Sequence, residues 1–225
     1  MPQKPNSAKR PSRKKTYLLS VVVVAVLLVG GSWYYLQASG TISCPKPSAS
    51  MTTNLIYARI NTSMGSMEVE LFPAGAPQTV ANFVNLSKSG FYDNLVWHRI
   101  VPGFVIQTGD PLTRNGGGNR LQWGTGGSNK TVPLETNASL HNYVCYLGMA
   151  RSSSPNSGTS QFYINLNNNT SLDGNYTVFG RVLSGMDVAV KIAGVPTYTD
   201  QSGNYYQQPV SPVYMTSVTI LSGGP

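Results

Sequence analysis

Few side chains in this sequence are equipped for bond-making chemistry, and those few stand apart. There are two histidines, His98 and His141, and no His, Cys, Asp or Glu group has the spacing of metal ligands. No serine stands in a G-x-S-x-G setting. Asn115 to Gly118 and Gly124 to Gly127 are glycine-rich, yet neither carries the Lys-Ser/Thr pair or the strand-to-helix context of a phosphate loop. Arg99 remains, set in the apolar run WHRIVPGFVIQTGD from Trp97 to Asp110. Taken alone, it is either a cation on an exposed strand face or one held at a site. His98 adjoins it, but along a strand its side chain points to the opposite face, so it reads as structural. His141 reads as a loop residue. The chemistry expected needs no nucleophile, metal or nucleotide, and no cofactor.

Three blocks sharpen this. Trp97–Asp110 closely resembles the cyclophilin signature F-H-R-I-I-P-G-F-M-x-Q-G-G-D. MARSSSPNSGTSQFYI, residues 149–164, resembles the family's M-A-x-A-x-x-x-x-x-x-S-Q-F-F-I. Leu172-Asp173-Gly174 followed by Val178-Phe179-Gly180 matches its L-D-G-x-x-x-V-F-G segment. The blocks run in the family's order over residues 54–222, about three quarters of the chain. The resemblance implies a peptidyl-prolyl cis-trans isomerase on a closed eight-stranded antiparallel β-barrel capped by two α-helices, an all-β fold.

Such an activity explains the scarcity of reactive groups. Rotation about an X–Pro bond is opposed by amide resonance, a barrier of roughly 18–20 kcal/mol, and nothing covalent breaks. The enzyme need only bind the twisted amide better than either planar form. Twisting gives the prolyl nitrogen a lone pair, so a fixed cation or donor aimed at it stabilises the transition state selectively. Arg99 matches the family's catalytic arginine, and its permanently charged planar fork suits that task.

The same resemblance assigns the neighbours. Gln107 would help hold the substrate and Arg99 by hydrogen bonds. Phe104, Val105, Tyr163 and Leu172 would line the proline pocket. Ala150 and Arg151 would offer backbone groups to the substrate chain, Gln161 would contact it, and Tyr176 stands where relatives carry His or Tyr. Val105 for the usual Met gives up volume at the pocket edge. Tyr163 for Phe adds a hydroxyl that needs water or a partner. Ser171 for a bulky apolar residue removes a contact for cyclosporin-type ligands. This altered edge keeps open a non-catalytic, proline-peptide-binding chaperone module as the alternative.

Elements to position these residues follow from hydropathy periodicity. Strands are predicted over 54–61, 66–72, 95–101, 104–108, 143–149, 160–165, 178–183 and 213–221. A helix is predicted over 76–89, opened by Pro77 and ended by Gly90, with Val80, Ala81, Phe83, Val84 and Leu86 as its apolar face. A shorter one spans 186–193. Residues 110–137 read as a long functional or mobile loop without regular structure.

Ahead of the domain, residues 17–36 are twenty without a charge, about 30 Å as a helix, enough to span a hydrocarbon core. Trp33, Tyr34 and Tyr35 close the run as an interfacial belt. The net charge of +8 lies mostly before it: six of sixteen basic residues precede residue 16, while from residue 41 ten bases face eight acids. That tail argues for a cytoplasmic N-terminus rather than for nucleic-acid binding. The expectation is a basic tail over 1–16, a transmembrane anchor over 17–36 (or a signal segment), a Ser/Pro-rich tether over 37–53 and an extracytoplasmic domain. Its partners would be proline-containing segments of exported proteins, and the chain reads as a monomer. Asn-x-Ser/Thr triplets at Asn61, Asn85, Asn129, Asn137, Asn168, Asn169 and Asn175 suit a surface that meets an N-glycosylation system. Two cysteines make no disulfide framework. Cys145 reads as a small buried hydrophobe, and a Cys44–Cys145 bridge is not expected.

Overall fold

The computed structural model describes residues 42–200 and 205–224. The basic tail, the apolar run 17–36 and the first five residues of the expected tether lie outside the described residues. No described helix is long and apolar enough to cross a membrane.

Nine strands form one sheet: β1 Ile56–Thr62, β2 Gly65–Leu71, β3 Leu95–Val96, β4 Arg99–Val101, β5 Val105–Thr108, β6 Tyr146–Met149, β7 Phe162–Asn165, β8 Val178–Ser184 and β9 Tyr214–Leu221. Their order is β3-β9-β1-β2-β8-β6-β7-β5-β4, and every pairing is antiparallel. The fold is the expected β-barrel type, but the closed eight-stranded ladder is corrected to a nine-stranded sheet. The run 95–101, expected as one strand, changes partner at Trp97–His98. Its first half pairs with β9 and its second with β5, so the two ends of the sheet are the two halves of one run. At the change, Trp97 N–H donates to Val213 O at 2.9 Å and Ile100 N–H to Gln207 O at 2.8 Å.

Helix α1, Pro77–Lys88, begins with proline at its first turn, where a missing N–H costs nothing. Ala76 offers no side-chain cap. The Glu135 carboxylate from the long loop caps it instead, accepting from Gln78 N at 3.0 Å and Thr79 N at 2.8 Å. The buried face is Thr79, Val80, Asn82, Phe83 and Ser87, while Ala81 is exposed and Val84 and Leu86 only partly covered. Asn82 belongs to that face because its Nδ2 donates to Thr159 O at 2.6 Å. Helix α2 spans Met186–Ala193 as expected. Inside the sheet, Phe83 packs edge-on against Phe162 at 5.4 Å, with Tyr92, Trp97 and Phe179 around them. Such aromatic edges add about 0.5–1.5 kcal/mol per pair beyond area burial.

The segment before β1 is not a free tether where it is described. Cys44 and Cys145 form a disulfide, correcting the expectation of an unbridged Cys145. Cys145 sits at φ +75°, so the backbone turns there rather than extending the strand. Two buried charges explain the path: Arg181 and Glu70, facing each other on β8 and β2, pair at 2.5 Å under this segment. Arg181 Nη1 also donates to Cys44 O at 3.2 Å and Pro45 O at 3.1 Å, and Tyr146 Oη donates to Pro45 O at 3.0 Å. A buried ion pair needs its remaining donors satisfied, and these carbonyls do so. Met51 then packs with Phe72, Leu140, Tyr146 and Val178.

The long loop after β5 is also more ordered than its sequence suggests. Fully buried Asp110 organises it: Oδ1 caps a 3₁₀ turn by accepting from Leu112 N at 2.8 Å, and Oδ2 accepts from Gly124 N at 2.5 Å and Gly126 N at 3.2 Å. A Cβ on Gly126 would lie 2.2 Å from Asp110 Oδ1, so only glycine permits that approach.

Candidate active site

The sheet register assembles the site. Arg99 pairs with Gln107 across β4–β5, Gln107 with Tyr163 across β5–β7, and Tyr163 with Gly148 across β7–β6. Residues directly opposite on neighbouring strands share a face, so this row points to one side of the sheet. Arg99, Phe104, Val105, Gln107, Ala150, Arg151, Tyr163, Leu172 and Tyr176 surround one cavity of about 340 Å³. Gln161 is in an adjoining cavity of about 370 Å³, which shares Gln107, Ala150 and Arg151 and runs along Gly124 to Ser128. All ten residues that the resemblance singled out therefore meet along one groove.

A chain of hydrogen bonds fixes the polar edge of this groove. The Asp110-pinned loop presents the carbonyls of Gly124 and Gly126, which accept from Gln161 Nε2 at 2.9 and 2.6 Å. That commits Gln161 Oε1 to accept from Gln107 Nε2 at 2.8 Å. Gln107 Oε1 then faces Arg99 Nη1 at 3.5 Å. The Arg99 guanidinium carbon lies 5.8 Å from the centre of the Phe104 ring. Burial pulls the guanidinium down from its ordinary value, opposed by the phenols of Tyr176 and Tyr206. An arginine starts so high that it stays charged. His98, 3% exposed and packed behind Gly124, is pushed down to about 4 by burial and is neutral at pH 7. It takes no place in the groove.

The apolar end has a polar floor that the sequence did not reveal. Tyr163, 4% exposed, donates its hydroxyl to Asn142 Oδ1 at 2.8 Å, which is the partner its extra oxygen requires. Asn142 is held in turn by Asp173, whose Oδ1 accepts from Asn142 N at 2.8 Å and Nδ2 at 3.0 Å. His141 Nδ1 meets Asp173 Oδ2 at 2.8 Å. Burial pushes the Asp173 carboxyl up, but the bonds from Asn142 and His141 outweigh it and hold it below its usual range. Burial pushes the Tyr163 phenol far up, so it stays a neutral donor.

One expectation narrows at the rim. The Ala150 N–H is already engaged by Gln161 O at 2.9 Å, so only its carbonyl is on offer to another chain. Arg151 uses its side chain locally: Nε donates to Asn175 O at 2.7 Å, and the guanidinium lies 4.8 Å from the centre of the Tyr176 ring. Asp110, Asn142 and Gln207, whose side chains bond the Gly124–Gly126 backbone, Tyr163 and Arg99, were not singled out from the sequence. Asp110 alone carried a signal, as the last residue of the Trp97–Asp110 block.

Gly148 is what lets the Tyr163 ring lie flat over the sheet. A Cβ there would sit 2.1 Å from Tyr163 Cζ. Gly148→Ala is therefore expected to cost about 1–3 kcal/mol of stability through overpacking. It should also displace the ring and raise KM, and urea unfolding together with steady-state kinetics checks both effects.

The sequence profile of the cyclophilin-type peptidyl-prolyl cis-trans isomerases matches residues 57–220, and the chain belongs to that family. It is an enzyme that interconverts cis and trans peptide bonds before proline. It is 38% identical over 168 residues to a peptidyl-prolyl cis-trans isomerase of Acinetobacter baylyi, covering 72% of this chain and 84% of that one. It is 42% identical over 151 residues to peptidyl-prolyl cis-trans isomerase-like 1 of Aspergillus niger, covering 67% and 87%. Among solved structures it resembles a cyclophilin-type isomerase of Cryptosporidium parvum crystallised in the presence of the dipeptide Ala-Pro. That match has a TM-score of 0.64 and 30% identity over 74% of this chain and 99% of the other.

Proposed function

We propose that this enzyme isomerises X–Pro bonds in exported or surface proteins, with Arg99 as the electrostatic catalyst and the barrel held outside the cytoplasm by the apolar run 17–36. The observation that carries the catalytic part is the fixed guanidinium at the edge of the apolar cavity. A proline ring seated among Phe104, Val105, Tyr163 and Leu172 would bring its nitrogen toward Arg99 and Gln107. The preceding residues would run along the adjoining groove past Gln161, Ala150 and Arg151. Tyr176 closes the far rim. The Cryptosporidium relative crystallised with Ala-Pro supports a proline-containing ligand here.

The Cys44–Cys145 bridge supports the location, because structural disulfides persist in oxidising compartments and are rare in the cytosol. The charge asymmetry around residues 17–36 supports the orientation. The test of function is the relaxation of a short Ala-Pro peptide from its cis-enriched state, with and without the protein. Acceleration is expected. Equal rates would overturn the catalytic reading, and binding without acceleration would favour the chaperone one. Protease added to intact cells should reach the domain; a protected domain would contradict the location.

A further inference from the structure

The cavity's arginine is held by a residue outside all three family-like blocks. Arg99 Nε donates to Gln207 Oε1 at 2.8 Å, much shorter than the 3.5 Å between Arg99 Nη1 and Gln107 Oε1. Gln107 is also committed through its own Nε2 to Gln161, which leaves Gln207 as the closer of the two acceptors that orient the guanidinium. With Nε and Nη1 so engaged, Nη2 has no acceptor among the described residues.

Gln207 grips β4 twice. Its side chain takes Arg99, and its backbone oxygen accepts from Ile100 N at 2.8 Å on the edge that β4 leaves unpaired. The loop arm that carries it is itself fixed. Gln207 N donates to Tyr198 O at 2.8 Å, and Tyr198 N to Gln208 O at 3.0 Å. Gln208 Nε2 donates to Arg120 O at 2.9 Å, while Arg120 Nη2 returns a bond to Pro209 O at 2.6 Å.

The backbone adds an independent observation. Gln207 adopts φ +65°, the left-handed region that is disfavoured for a residue with a Cβ other than Asn or Asp. Glycine would fit that position with less strain. A glutamine there bears a backbone cost that glycine would not, which points to a use for its side chain, since local strain concentrates where structure serves function.

We propose that Gln207 is a positioning residue for isomerisation: it locks the Arg99 Nε edge and so aims the remaining N–H groups at the prolyl nitrogen. This rests on the reading of Arg99 as the electrostatic catalyst. A guanidinium free to turn about its stem must be reoriented in each transition state, whereas a preorganised donor carries no such cost. Gln207 touches no substrate in this scheme and acts only through Arg99. Its loss should appear in kcat more than in KM.

The experiment uses the full chain and a short Ala-Pro peptide, with kcat, KM and melting temperature measured for four variants: Gln207→Gly, Gln207→Glu, Arg99→Ala and the Arg99→Ala/Gln207→Gly double variant. Gln207→Gly removes the acceptor while relaxing the backbone, so the melting temperature should not fall. Its kcat should drop about tenfold, with KM within about twofold of the parent. Gln207→Glu keeps an oxygen acceptor at the same reach and should stay within about threefold. On the Arg99→Ala background, Gln207→Gly should change kcat by less than about twofold, because the group it acts through is gone. Parental kcat in Gln207→Gly overturns the inference while leaving Arg99 in place. A further tenfold loss on the Arg99→Ala background overturns it as well, since the loop would then act elsewhere. An Arg99→Ala protein with full activity overturns both readings at once.

Discussion

Replacing Arg99 with alanine is expected to lower kcat by about 10²–10³-fold, the loss typical of removing one preorganised donor from a developing charge. That corresponds to about 2.7–4 kcal/mol of transition-state stabilisation. A whole acceleration of about 10⁵ requires roughly 7 kcal/mol, so Arg99 would carry about half and the cavity walls the rest. KM should move little, because Phe104, Val105, Tyr163 and Leu172 line the cavity on other elements and remain. Folding should survive, since Arg99 is only half-buried and makes no ion pair among the described residues. Arg99→Lys should recover only part of the loss: it keeps a charge but has no planar fork to span Gln207 and Gln107. Steady-state kinetics on the Ala-Pro peptide decide the matter, and a kcat within about threefold of the parent would remove Arg99 from the mechanism.

Breaking the disulfide should have the largest effect on stability. Cys44 and Cys145 are 101 residues apart, and a loop of that size places the stabilisation near the upper end of the usual range, about 4 kcal/mol. Cys44→Ala should also loosen the carbonyl cover over Arg181, whose pair with Glu70 is then wetter and less well satisfied. The two replacements at the other end should differ. Cys145→Gly suits the φ of +75°, whereas Cys145→Ala keeps the backbone penalty, so the glycine variant should unfold at the higher denaturant concentration. Urea unfolding with and without reductant checks this. The oxidised parent should lose about as much on reduction as it does on Cys44→Ala.

Much of the site was legible because cyclophilin-like motifs are local in sequence while their strands are neighbours in space. Trp97–Asp110 brings Arg99, Phe104, Val105 and Gln107 on two strands joined by a tight turn, and the 149–164 block brings their partners on the next strand. What escaped was long-range and carried by single polar residues. Asn142 under Tyr163, Glu135 on the end of α1 and Gln207 beside Arg99 each sit in loops whose sequence has no period to read. The disulfide escaped for the same reason: two cysteines a hundred residues apart show nothing of their proximity. The face of α1 was misjudged because a buried asparagine with a backbone partner displaces an alanine that hydropathy alone would put inside. The split of 95–101 was invisible because both halves are equally apolar, and only their hydrogen-bond partners differ.

That split has a dynamic consequence. The two halves of the run are the outermost strands of the sheet, so Arg99 stands on a segment of three residues laddered on one side only. Such a margin opens at a lower free energy than the interior of the same sheet, in a sub-global fluctuation that leaves β1, β2 and β8 closed. An opening there would free Arg99 without unfolding the barrel, and the bonds to Gln207 set its cost. Amide protons at Ile100 and at Val69 would report two separate clocks, the first set by the grip of a loop and the second by the stability of the whole domain.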